Sequence, residues 1–281
     1  MSIFPTKVLL ATDGSKEADL AATTAADLAE KTNSELHIVT VSEDPYLATD
    51  FTLHFPEAAE RHRQEVREEV QALLDRQVER VREAGGKVAQ THLKVGRADD
   101  KIVSLAEEVG AGLVVMGSRG QGGIRRALMG SVSSSVVEHA TCPVMVVRAE
   151  AVEFPTKLLV ATDRSREAQL AATTAADLAK STNSELHVVH VGYEPGTDEA
   201  QEELDKELAM IGETGATGVR AHLEFGWPAG KIVDVAEEIG AGVIIMGSRG
   251  FGGIRRALLG SIADTVVRHA HCAVLVVRQE E

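Results

Sequence analysis

The strongest constraint on this 281-residue chain is that it repeats itself. Thr6 onward reads TKVLLATDGSKEADLAATTAADLAEKTNSELHIV, and Thr156 onward reads TKLLVATDRSREAQLAATTAADLAKSTNSELHVV, an offset of 150. From Val95-Gly96 against Phe225-Gly226 the offset falls to 130 and holds to the end of each copy, so the second copy is 20 residues shorter in its middle. Units of well over about 100 residues are whole domains, whereas solenoid modules run to roughly 20–50. The expected organisation is two domains, 1–149 and 150–281, joined by a linker at Ala149 to Glu153. Each is long enough to bury a core without disulfide or metal staples.

Within each copy, short apolar runs alternate with helical patterns, the signature of βαβ units built on a parallel sheet. In the first copy strands are expected at Lys7–Thr12, Glu35–Val41, Val88–Leu93, Gly112–Gly117 and Pro143–Arg148. Helices are expected at Lys16–Lys31, Pro56–Ala84, Ala98–Gly110 and Ser131–Ala140, and the second copy repeats the scheme with a shorter helix around Asp198–Gly212. Aromatic residues make up only 3% of the chain, so Val, Leu, Ile and Ala must fill the cores, as they do where helices cover both faces of a parallel sheet. The fold class is therefore α/β, with ligands expected beyond the carboxyl ends of the strands.

Charge and cysteine usage narrow the function. A formal net charge of −14 argues against nucleic acid as a partner, because a grip on the phosphate backbone draws its affinity from Lys and Arg. No apolar run reaches membrane-spanning length. Two cysteines, Cys142 and Cys272, supply neither a disulfide framework nor a zinc site and suit a reducing cytoplasm. Met1 to Phe4 run straight into the first strand, leaving no room for a secretion signal, so the expected location is cytoplasmic.

The residues that point to chemistry follow the fourth strand. Gly117-Ser-Arg-Gly120 is followed by nine residues and then Gly130-Ser131 at the start of a helix, and Gly247-Ser-Arg-Gly250 leads in the same way to Gly260-Ser261. Glycines let backbone amides approach a bulky anion, and a helix N-terminus adds unpaired N–H donors and a favourable dipole. Together they suit a di- or triphosphate. Ser131 and Ser261 stand where a hydroxyl either caps the helix or bonds a phosphate oxygen. At the end of the first strand, Ala11-Thr12-Asp13 and Ala161-Thr162-Asp163 place a carboxylate that either meets a ligand or caps a turn.

These residues resemble the universal stress proteins, in their ATP-binding subgroup, over nearly the whole chain. The most specific stretch is GLVVMGSRGQGGIRRALMGSVSSSVVEHATCPVMVVR, echoed by GVIIMGSRGFGGIRRALLGSIADTVVRHAHCAVLVVR. The resemblance implies two tandem five-stranded parallel open sheets, strand order 3-2-1-4-5, with the adenine nucleotide alpha hydrolase-like fold and helices on both faces. It also implies ATP as ligand, any Mg2+ being held through the phosphates. Asp13 and Val41 would contact the adenine and ribose, Met116 and Gly117 the nucleoside, and Gly120, Gly130, Ser131, Val132 and Ser133 the phosphates. The second copy offers Asp163, Val191, Met246, Gly247, Gly250, Gly260, Ser261, Ile262 and Ala263. It departs from the first where Arg164 replaces Gly14 and Ala263 replaces Ser133. Family members often carry Asp where Gly112 and Gly242 stand. Fifth strands commonly pair between two such domains, which implies an intrachain pseudo-dimer here and leaves a homodimer open.

Several features keep two readings. Arg125-Arg126 and Arg255-Arg256 either neutralise a ligand or pair on a solvated turn. The aromatic group Tyr46, Phe51, His54 and Phe55 is either a lid or a packing extension. The matched histidines, such as His37 with His187 and His92 with His222, read as structural, with metal binding disfavoured. The leading functional expectation is a regulatory, stress-response nucleotide sensor with an unnamed protein partner. An ATP-cleaving or nucleotidyl-transferring enzyme is the alternative, and a partner-binding scaffold is a third class. No catalytic base or Lys stands out, and the chain has no Gly-x4-Gly-Lys-Ser/Thr motif.

Overall fold

Alternating strands and helices arise where the sequence analysis places them. The computed structural model describes residues 3–43, 56–120, 129–148, 156–192, 198–213, 218–250 and 259–278. The first half contains β1 (Lys7–Ala11), α1 (Lys16–Lys31), β2 (Glu35–Ser42), α2 (Pro56–Glu83), β3 (Val88–Val95), α3 (Ala98–Val109), β4 (Leu113–Gly117), α4 (Ser131–His139) and β5 (Val144–Val147). The second contains β6 (Lys157–Thr162), α5 (Arg166–Thr182), β7 (Glu185–Gly192), α6 (Asp198–Glu213), β8 (Arg220–Phe225), α7 (Pro228–Ile239), β9 (Val243–Gly247), α8 (Ser261–His269) and β10 (Ala273–Val277). The Ala149–Glu153 linker, both Arg-Arg pairs and the group Tyr46, Phe51, His54 and Phe55 lie outside the described residues.

Alternation along the strands divides the apolar side chains between two layers. On β1, Val8 and Leu10 join one core with Leu36, Ile38 and Val115, while Leu9 and Ala11 join the other with Val39, Val114 and Met116. Helices α1 and α2 close the first layer, α3 and α4 the second, and the other half repeats the arrangement. Helix α1 starts at Ser15, whose side chain accepts a hydrogen bond from the Ala18 N–H. It turns Ala18, Ala21, Ala22, Ala25, Ala26 and Ala29 to the interior, and their small side chains let the helix lie close on the sheet.

Within each half the strand order is 3-2-1-4-5 and all pairings are parallel, and the two five-stranded sheets join through their fifth strands, the pairing that the resemblance implies. A single ten-stranded sheet runs β3-β2-β1-β4-β5-β10-β9-β6-β7-β8. Strand β5 ends its own half with unpaired backbone groups, and β10 satisfies them by pairing antiparallel, with Val146 opposite Val274, Met145 opposite Leu275 and Val144 opposite Val276. Both core layers therefore continue from one half into the other.

The matched histidines lie far from this seam, between the two outermost strands on each side. The His37 Nδ1 is 3.1 Å from the His92 Nε2, and the His187 Nδ1 is 2.9 Å from the His222 Nε2; in each pair the rings are stacked. Burial holds the His92 and His187 pKa values below the usual histidine value of 6.5. The sign follows from linkage: the unfolded chain takes up these protons first, so the stabilisation is complete above pH 6.5 and is lost as the pH falls through the lower folded values. Urea midpoints measured from pH 7.5 down to pH 5 should fall more steeply for the wild type than for the His92→Gln/His187→Gln double variant, because only the wild type carries this proton uptake.

Candidate functional site

The carboxyl ends of β1, β2 and β4 and the N-terminus of α4 converge on one edge of the first half, with the β6, β7, β9 and α8 termini forming the equivalent edge of the second. The loop leaving β4 is held from several directions. The Ser118 N–H donates to the Val147 carbonyl at 2.9 Å, and the Ser118 carbonyl accepts from the Gly130 N–H at 2.8 Å. The second bond closes the two ends of the glycine motif on each other. Gly260 and Ser248 repeat it at 2.7 Å.

Sterics explain why glycine is required at some of these positions. A Cβ on Gly117 would stand 2.7 Å from the Glu17 carbonyl carbon and 2.9 Å from the Ala18 nitrogen, so the first turn of α1 occupies the space a side chain would need. A Cβ on Gly120 would run into the Asp13 Oδ2, while a Cβ on Gly250 would lie 2.5 Å from the Asp163 Oδ2. Gly130 differs. Its φ of −76° suits any residue, and an added Cβ would meet the Ser118 carbonyl oxygen at 3.4 Å and the Ser133 Oγ at 3.5 Å, ordinary contacts that fill the cradle without displacing its walls. At Gly112, an added Cβ would meet the Thr6 side chain.

Ser131 is exposed and Val132 half-buried at the first turn of α4, and the Gly130 N-cap provides no side-chain hydrogen bond. The helix thus begins with amides that no cap covers, and α8 begins in the same way at Gly260, Ser261 and Ile262. Ser133 has a place within the loop itself. It is buried, and its hydroxyl lies 2.8 Å from the Ser118 carbonyl and 3.1 Å from that of Gly130, donating within the loop. Asp13 and Asp163 each accept from the N–H two residues on, at Ser15 and Ser165, both at 3.0 Å, so these carboxylates order the turn after the first strand. Ala11, Thr12, Met116, Ala161, Thr162 and Met246 are buried beneath the edge, while Val41 and Val191 are half-buried at the ends of β2 and β7.

Three groups at this edge escaped the sequence reading. Glu17 pairs with Arg119 at 2.9 Å, and Ser15 donates to the Arg119 carbonyl at 3.2 Å. In the second half Glu167 takes a larger share: its carboxylate accepts from the Ser248 Oγ and the Arg249 N–H, both at 2.6 Å, and from the Arg249 Nε at 2.8 Å. These bonds anchor the loop where Ala263 has no hydroxyl to do so. Arg164, at φ +62°, adopts the left-handed conformation that Gly14 has at +74°, a cost of about 1 kcal/mol for a side-chain-bearing residue. The recurrence of Ser15, Glu17 and Arg119 in both copies was the available signal.

The cysteines are remote from this edge. Both are buried, and burial pushes the Cys272 thiol up to about 12, leaving it protonated and a poor nucleophile. Among the described residues, no group of three or more His, Cys, Asp or Glu side chains is placed to hold a metal ion, and no helix is long and apolar enough to cross a membrane.

Comparison with known proteins adds the following. The model of the universal stress protein family matches residues 5–148 and again 155–278. A universal stress protein of Mycobacterium tuberculosis is 30% identical over 291 residues, covering 97% of each chain, and one of Mycolicibacterium smegmatis is 30% identical over 297 residues, covering 96% of each. Among solved structures, a universal stress protein from Archaeoglobus fulgidus superimposes with a TM-score of 0.73 at 27% identity, covering 100% of this chain and 98% of that one.

Gly117→Ala, which meets backbone, should lower unfolding free energy by about 1–3 kcal/mol through overpacking, Gly120→Ala, which meets only the Asp13 carboxylate, should cost less than Gly117→Ala, and Gly130→Ala should stay within about 0.5 kcal/mol of wild type, as read by urea denaturation.

Proposed function

The chain belongs to the universal stress protein family, and from that premise we propose that it binds an adenine nucleotide, ATP in the first instance, at the glycine-rich edge of each half. The observation that carries the proposal is the uncapped N-terminus of α4, closed against the β4 loop by the Gly130 to Ser118 hydrogen bond and bordered by Gly120. Amides at such a terminus bind anions without reorganising. The phosphates would lie on the Ser131 and Val132 N–H groups, Gly130 leaving room for them, with the adenosine toward Asp13 and Val41. Any Mg2+ would be held through the phosphates, since Asp13 and Asp163 already accept from their own turns.

The second-half site departs from the first at two places, with Arg164 where the first half has Gly14 and Ala263 where it has Ser133. We take residues 1–149 and 150–281 as the two binding units, and the role as a nucleotide-dependent regulator of the stress response in the cytoplasm. Occupancy would act by setting the conformation of this edge and of whatever partner protein reads it.

Calorimetric titration of the purified chain with Mg-ATP, after denaturing extraction to identify and quantify any co-purified nucleotide, tests the proposal. The expected results are at least one bound adenine nucleotide per chain and an affinity at the first-half site reduced about tenfold or more in a folded Gly130→Ala variant. Absence of nucleotide from the purified chain, together with absence of Mg-ATP binding, overturns it.

A further inference from the structure

The last strand of each half ends in an arginine, Arg148 after β5 and Arg278 after β10, and both side chains cross the seam. The Arg148 Nη1 donates to the carbonyls of Arg268 at 3.0 Å and Ala270 at 3.3 Å, and its Nη2 donates to that of Val267 at 2.5 Å. Arg278 does the same in reverse, donating to the carbonyls of Glu138 at 3.0 Å, Ala140 at 2.7 Å and Val137. Each guanidinium therefore sits on the C-terminal end of the other half's last helix, where the carbonyls left over by the helix concentrate negative potential.

Each arginine is also tied to its own half's glycine loop. Ser118, in the first-half loop, donates to the carbonyl of Val147, the residue before Arg148, and Ser248 donates to that of Val277, the residue before Arg278, both at 2.9 Å. Helices α4 and α8 have nine residues each, about 13 Å from end to end, and their opposite ends are the Gly130-Ser131 and Gly260-Ser261 termini. A continuous path of main-chain bonds and one side chain thus runs from the loop of one half to the phosphate-facing helix of the other, in both directions.

Electrostatics make this path more than packing. Arg278 is only 8% exposed and Arg148 is half-buried; both guanidinium groups donate to carbonyls, and neither Nε finds a partner among the described residues. Burial lowers both pKa values; Arg119 opposes the charge of Arg148, while Glu167 favours and Arg249 opposes that of Arg278. Withdrawing a cation from water is costly even when carbonyls receive it, and apolar residues would seal a seam at lower cost. What the cation adds is a favourable charge at the helix C-terminus that fixes the helix, and with it the N-terminal amides at its other end.

Resting on the nucleotide-binding reading, we infer that Arg148 and Arg278 are positioning residues acting in trans, Arg148 serving the phosphate site of the second half and Arg278 that of the first. Through the Ser118 to Val147 and Ser248 to Val277 main-chain bonds, a loop ordered by a bound anion holds its own strand-terminal arginine against the other half's helix. The two sites are thereby coupled, with filling of one favouring filling of the other.

Calorimetric titration with Mg-ATP in single-site backgrounds separates this role from a merely structural one. In a Gly130→Ala chain, which retains the second-half site, Arg148→Met should weaken binding about five- to tenfold while Arg278→Met leaves it within about twofold. In a Gly260→Ala chain the dependence should invert. The unfolding midpoint, read alongside, should fall alike for both arginine variants, because each loses an equivalent helix-end contact. If a methionine variant fails to fold, Arg148→Lys and Arg278→Lys keep the cation without the three-carbonyl fork and should show the same crossed pattern with a loss of about two- to threefold. If the second-half site binds nothing in the wild type, the first-half site alone decides, with Arg278→Met the damaging change and Arg148→Met the control. Equal losses, or losses confined to the arginine's own half, overturn the inference while leaving nucleotide binding intact. A wild-type chain that binds no nucleotide overturns both.

Discussion

The grip of the first turn of α1 on the loop leaving β4 sets the geometry of the whole functional edge. Gly117 has no side chain, so the Glu17 and Ala18 backbone can occupy that space. From this position Ser15 caps the helix and reaches the Arg119 carbonyl, while the Glu17 carboxylate pairs with the Arg119 side chain. Gly120 is then brought against Asp13, and the Ser118 carbonyl is turned toward the Gly130 N–H. A loop ordered this way presents the amides of α4 without having to fold around a ligand, which lowers the entropy cost of binding.

The two halves share the Glu–Arg pair and the serine bond to the arginine carbonyl, and they differ in one further tie on the loop. In the first, the Ser133 hydroxyl holds the Ser118 carbonyl from below. In the second, Ala263 has no hydroxyl, and Glu167 bonds Ser248 and Arg249 instead. The duplication has therefore preserved the backbone arrangement while exchanging one of the side chains that hold it. The seam is the counterpart of this divergence: both halves keep an arginine at the same place, and each uses it on the other half's helix. An isolated half would lose the partner for its fifth strand and the cap on its last helix together.

Much of the fold was legible because strand alternation and the internal repeat are local patterns. Helix α1 begins and ends where an Ala-rich amphipathic segment behind Ser15 implies, and the order 3-2-1-4-5 within each half agrees with the resemblance. The fusion into one sheet was legible only in part, because pairing β5 with β10 is a long-range choice that no local periodicity encodes. The glycine motif was visible as spacing, but its individual roles were not. Gly117 and Gly120 abut neighbours distant in sequence, Glu17 and Asp13, and the hydrogen bonds that Ser133 donates within the loop are set by the folded backbone. Arg148 and Arg278 look like ordinary strand-terminal cations until the other half is in place.

The most direct measurement is a crystal structure of the chain with a non-hydrolysable ATP analogue and Mg2+. The account predicts electron density for the triphosphate against the Ser131 and Val132 amides, between Gly120 and Gly130, with the adenosine extending toward Asp13 and Val41. Nucleotide bound elsewhere on the chain, or this helix terminus left without ligand at saturating analogue, would contradict it.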